Sequence, residues 1–200
     1  MAGFRFSNFG GGFQRSPLFS GTFWRENNSG GIRIFDPNAN PGLDTWTYGL
    51  EPPDRCVPQN VNISRCSYAE MWGGTVKHLE KVKPLSPRDN LTWTEHVAPF
   101  RGTGGLAFAN EYFCANVEIG GLSVVIMLSP IRTLPNVEIV LGHRSQQVQS
   151  FNPRRVVKAV FPVPYEGGGK LDIEDETIVV IKSSGAVVGS FRLSPLIFRL

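Results

Sequence analysis

The 200-residue chain is 41% hydrophobic, with fourteen Phe and four Trp, and sets twenty Lys plus Arg against seventeen Asp plus Glu for a formal net charge of +3. That apolar content excludes general disorder, and the near-balanced charge without a basic run excludes a nucleic-acid-binding arm. The longest apolar stretch, Leu122 to Leu128 with Ser123 inside it, is too short to cross a bilayer, and Met1 to Gly12 shows no apolar h-region of a signal peptide.

Residues 1–30 are rich in Gly, Phe, Ser and Asn without a sustained period, which predicts an irregular leading segment, the cut end of something longer. From residue 31 to 200, short apolar or alternating runs are punctuated by Gly, Pro, Asn and Asp, the pattern of many short strands in one β-sandwich domain. No amphipathic helix is predicted. Strands are expected at Ile32–Phe35, Thr45–Tyr48, Arg65–Trp72, Asn90–Val97, Leu106–Ile119 and Ser123–Leu128. They continue at Val137–Leu141, Gln146–Phe151, Arg155–Val163, Thr177–Lys182 and Ala186–Leu193, as an antiparallel meander. Gly120-Gly121 suits a two-residue hairpin turn, because glycine accepts the positive φ that such turns demand, and Ser183-Ser184-Gly185 reads as a longer one. The Val124–Leu128 run is apolar on both faces and predicts a central strand covered on both sides. Two stacked antiparallel sheets account for these patterns better than one open sheet, whose second face would stay wet.

Cys56, Cys66 and Cys114 are an odd number without Cys-x-x-Cys spacing, so neither a zinc site nor a full disulfide framework is signalled. Read as a strand, residues 68–74 put Tyr68, Glu70 and Trp72 on one face, a carboxylate between two aromatic rings. A pyranose presents an apolar C–H face to such rings and hydroxyls to such a carboxylate. An edge strand with a solvated glutamate accounts for the same pattern. In the run from Leu91 to Val97, Glu95 falls in phase with Leu91, Trp93 and Val97, and a carboxylate on the core side needs a partner or a cleft, although a solvent-reaching glutamate at a strand end or bulge is the ordinary reading. His78 follows the Glu70 strand closely enough to approach the same cleft, although a surface histidine is the ordinary reading. Gly102-Thr103-Gly104-Gly105 lacks a following Gly-Lys-Ser/Thr and reads as a turn, and the acidic cluster Asp172 to Glu176 lacks the spacing of a calcium loop.

Taken in order, Gly31-Ile32-Arg33-Ile34-Phe35-Asp36, the stretch from Asn40 to Gly49, Tyr68-Ala69-Glu70-Met71-Trp72-Gly73-Gly74, the stretch from Leu85 to Glu95 and Gly104-Gly105-Leu106-Ala107 resemble the later half of galactose-mutarotase-like proteins, in their bacterial branch. The resemblance spans roughly residues 30–195 and rests on order and spacing. It implies a β-supersandwich incomplete on its N-terminal side, a sugar cleft on one sheet, and Glu70 as the general base of an aldose epimerase. Tyr68, Trp72, Trp46, Glu95 and His78 would then line the substrate site. In that chemistry a base takes the anomeric hydroxyl proton while an acid protonates the ring oxygen, so no cofactor or metal is implied. The family's Pro-Gly turn is Pro87-Arg88 here, and no histidine matches its general acid. A non-catalytic carbohydrate-binding or accessory module is therefore the alternative, and a purely structural sandwich the third reading. The expected partners are a small-molecule sugar and, through exposed sheet edges, other copies of the chain, with neither nucleic acid nor membrane among them.

Overall fold

The computed structural model describes residues 2–6, 11–15, 18–48, 68–76, 84–120, 123–162 and 177–193, and gives backbone alone for 2–6, 11–15, 42–48 and 68–72. None of these residues is helical, and no described helix is long and apolar enough to cross a membrane. The first sheet has the order β1-β2-β3-β4-β7, from β1 (Ala2–Phe6), β2 (Gly11–Arg15), β3 (Phe19–Trp24), β4 (Ser29–Phe35) and β7 (Glu95–Arg101). Between β4 and β7 in sequence, β5 (Gly42–Tyr48) and β6 (Tyr68–Gly74) pair with each other. A second sheet, β13-β10-β9-β8, comprises β8 (Phe108–Ala109), β9 (Phe113–Gly120), β10 (Ser123–Pro130) and β13 (Val157–Pro162). The third, β12-β11-β14-β15, comprises β11 (Val137–Leu141), β12 (Arg144–Val148), β14 (Ile178–Ser183) and β15 (Ala186–Arg192). All pairings are antiparallel, and the fold is an all-β sandwich.

Alternation along the strands builds the core. Phe113, Ala115 and Val117 of β9, with Ile126 and Leu128 of β10, pack against Ile139 of β11 and Val179 and Ile181 of β14. Full burial of a large aliphatic or aromatic side chain of this kind contributes about 1.5–3 kcal/mol. The alternate residue Cys114 points the other way, to a second cluster with Phe19, Ile32, Ala98 and Phe100 of the first sheet. The second sheet is thus covered on both faces, and β10 is central in it, flanked by β9 and β13.

The structure differs from the sequence reading in several respects. Three sheets and the β5–β6 pair stand where two stacked sheets were expected, and the strand expected at Asn90–Val97 begins at Glu95 and runs on to Arg101. Residues 1–30, expected to be irregular, contain β1 to β3, so the first sheet runs across residue 30. The stretch expected as one strand from Leu106 to Ile119 folds back on itself, because Asn110 Oδ1 accepts the N–H groups of Tyr112 (2.9 Å) and Phe113 (3.1 Å) and closes a turn between β8 and β9. The order is not a plain meander, since β10 pairs with β13 and β11 with β14. Finally, Gly120 pairs with Ser123, which moves the β9–β10 loop to residues 121–122, outside the described residues.

Candidate functional site

The outer face of the first sheet, opposite the Phe19–Ile32–Phe100 core, has an unusual composition. Register places Ser20 of β3 beside Arg33 of β4, and Arg33 beside Val97 of β7. Ser20, Thr22, Arg33 and Phe35 all share this face, and all are buried. A buried guanidinium needs a counter-charge with matching geometry. Glu95, the first residue of β7, supplies it: Arg33 Nε donates to Oε2 at 2.6 Å, and Nη2 donates to Oε1. The Arg33 guanidinium carbon also lies 5.2 Å from the centroid of the Phe35 ring, a cation–π arrangement.

Two further donors converge on the same carboxylate. After β4 the chain turns at Asp36, whose Oδ1 accepts the Asn38 N–H at 2.8 Å and whose carbonyl accepts the Asn40 N–H at 2.8 Å. That turn delivers Asn40, 1% exposed, so that its Nδ2 donates to Glu95 Oε1. Trp93 Nε1 donates to the same oxygen at 2.9 Å, while its indole remains 46% exposed. Hydrogen bonding from Arg33 is the main cause that holds the Glu95 carboxyl below its ordinary range, against the opposing pull of burial. Glu95 is therefore an ionised acceptor with its lone pairs largely engaged, poorly suited to passing a proton at neutral pH. Two buried oxygens, Ser20 Oγ and Asn40 Oδ1, have no hydrogen-bond partner among the described residues.

The β5–β6 pair meets the cluster at Gly73. A Cβ there would overlap the Arg33 guanidinium, so the backbone of β6 lies directly against that group.

Of the residues singled out from sequence, Glu95 belongs to the cluster, on the outer face and not on the core side. The core phase of β7 is Ala98 and Phe100, whereas Val97 is 76% exposed. Trp46 and Glu70 are register partners in β5 and β6, Tyr68 pairs with Tyr48, and Trp72 pairs with Asp44. Their side chains, and the whole of His78, lie outside the described residues. Arg33, Asn40, Phe35 and Gly73 escaped the sequence reading as site residues. Arg33 between Ile32 and Ile34 reads as an ordinary outward residue, since nothing in the local pattern says that the outer face is covered. Among the described residues no group of three or more His, Cys, Asp or Glu is gathered to hold a metal.

The chain matches no family model, no curated protein and no solved structure.

Proposed function

We propose that the chain is a carbohydrate-binding β-sandwich protein whose contact surface centres on Trp93 and the Arg33–Glu95–Asn40 cluster. The observation that carries this reading is the half-exposed Trp93 indole with its N–H fixed to a partly buried ion pair. A ring held in one orientation loses little conformational freedom when a pyranose C–H face stacks on it, and polar groups close to its edge can meet the sugar hydroxyls. The binding form without catalysis is favoured, because Glu95 is held ionised and already receives four hydrogen bonds. An aldose-epimerase activity would instead use Glu70 on β6 as its base, as the likeness to mutarotases implies.

Two measurements test this. On a glycan array, the protein should bind at least one sugar class, with quenching or a spectral shift of tryptophan fluorescence. Trp93→Ala should weaken that binding about tenfold or more, the loss of roughly 1.4 kcal/mol, with an unchanged far-UV spectrum. Polarimetry of α-glucose and α-galactose separates the two forms. Accelerated equilibration lost in Glu70→Gln selects the epimerase, and binding without acceleration selects the module.

A further inference from the structure

We propose that this site holds an extended glycan chain and not a single sugar, with Trp24 as a second stacking platform, an inference that rests on the carbohydrate-binding reading. Trp24 is the last residue of β3. The ring before it, Phe23, stacks on Phe100 of the first-sheet core with centroids 6.1 Å apart. Successive side chains of a strand point to opposite faces, so Trp24 stands on the outer face, the face of Arg33 and Glu95. It is 47% exposed, almost the same as Trp93 at 46%. Register fixes how far apart the two indoles stand. Trp24 pairs with Ser29 and Ser29 with Arg101, and three steps of two residues along β7 lead from Arg101 to Glu95, which receives the Trp93 N–H. Six residues of strand span about 20 Å.

The ground between the indoles is open along β7. Val97 and Pro99 share this face, and both are exposed. On the neighbouring strand Ser29 and Gly31 pair with Arg101 and Pro99, and a Cβ at Gly31 would meet nothing nearer than Thr22 Oγ1 at 4.0 Å. The exposed Arg101 side chain enters no ion pair or hydrogen bond among the described residues, so its N–H groups can meet hydroxyls at the Trp24 end. Every side chain offered to the ligand, from Trp93 through Val97, Pro99 and Arg101 to Trp24, thus reaches solvent. A single pyranose covers one indole, and only a chain of several reaches both. Joining the units makes the second contact intramolecular, so affinity rises with chain length until the span is filled. A peptide laid along β7 as an added strand is a poorer occupant, because Pro99 in the middle of that strand has no N–H to offer it.

The test is a length series. Linear oligosaccharides of glucose, galactose, mannose, xylose and N-acetylglucosamine, each from the monosaccharide to the hexasaccharide, are titrated against the protein. Expected is an affinity that rises by about tenfold or more from monosaccharide to hexasaccharide in any series that binds. Trp24→Ala should remove that gain and leave the monosaccharide affinity unchanged, with an unaltered far-UV spectrum. Trp24→Phe, which keeps a ring on the same face, should retain most of the gain. Trp93→Ala should weaken every length. An affinity independent of length in the native protein, or a gain that survives Trp24→Ala, overturns the inference and leaves the sugar reading standing. A protein that binds no sugar of any length loses both.

Discussion

Glu95 ties the chemistry of the site to the stability of the fold. Its carboxyl is held below the ordinary value of 4.5, chiefly by the hydrogen bond from Arg33. Between the folded and unfolded pKa values the unfolded chain binds more protons, so stability rises with pH across that window. The contribution is complete above the unfolded value and is lost as pH falls through the folded one. Glu95→Gln should therefore cost about 2 kcal/mol at neutral pH, between the surface and fully buried cases. The difference from the native protein should shrink in acid, as read by denaturant midpoints from neutral pH downward; a gap that stays constant would place the stabilisation elsewhere. The sequence pointed to Glu95 through its phase with Val97, and β7 turns that phase to the outer face and not to the core. Its partner Arg33 was invisible, because an ion pair between residues 62 apart leaves no local trace.

At the scale of elements, legibility depended on whether neighbours in sequence or neighbours in space set the structure. The Val137–Leu141 strand and the run through Val124–Leu128 were readable from β-branched density alone. The phase of β7 was not, because the facing strand sets it: Ile32 pairs with Ala98, and Gly30 leaves the room that the Phe100 ring fills. The β14–β15 turn was readable as a turn and proves tighter than expected. Ser183 pairs with Ala186, leaving Ser184 (φ 48) and Gly185 (φ 85) as the two central residues of a type I′ hairpin. Asparagine accepts that first position better than serine. Ser184→Asn should raise the thermal midpoint, through a gain of about 0.5 kcal/mol of the size seen at favourable turn positions. Further along β15, Gly189 lies against the core: an added Cβ would fall 2.6 Å from Phe113 Cζ and 2.9 Å from Asn110 Nδ2. Gly189→Ala should cost about 1–3 kcal/mol by overpacking, whereas Gly120→Ala, with open space around it, serves as a control that scarcely moves the midpoint.

For the molecule as a whole, Phe108 joins what would otherwise be two cores. Its ring stacks on Phe191 of the third sheet with centroids 5.0 Å apart, and meets Phe19 of the first sheet edge-on at 6.1 Å. Phe108→Ala should cost about 3–5 kcal/mol and also weaken the coupling between layers. All four tryptophans lie between residues 24 and 93, so their fluorescence follows the first part of the chain, while far-UV circular dichroism follows every sheet. The two signals should change together in the native protein and separate in Phe108→Ala; coincidence in both would mean that the coupling runs through other contacts. Self-association through sheet edges, expected from sequence, meets an obstacle on β7. Pro99 has no N–H to offer a pairing strand, a known means of blunting an edge.

The placement of Cys114 has a further use. Its thiol is wholly buried on the side of the second sheet that faces the first, and burial raises its pKa far above that of an exposed thiol. An alkylating reagent cannot reach it while the two layers stay together. With Cys56 and Cys66 replaced by serine, the rate of modification becomes a clock for parting of the layers. Its dependence on denaturant would tell whether they separate in small local openings or only when the entire chain unfolds.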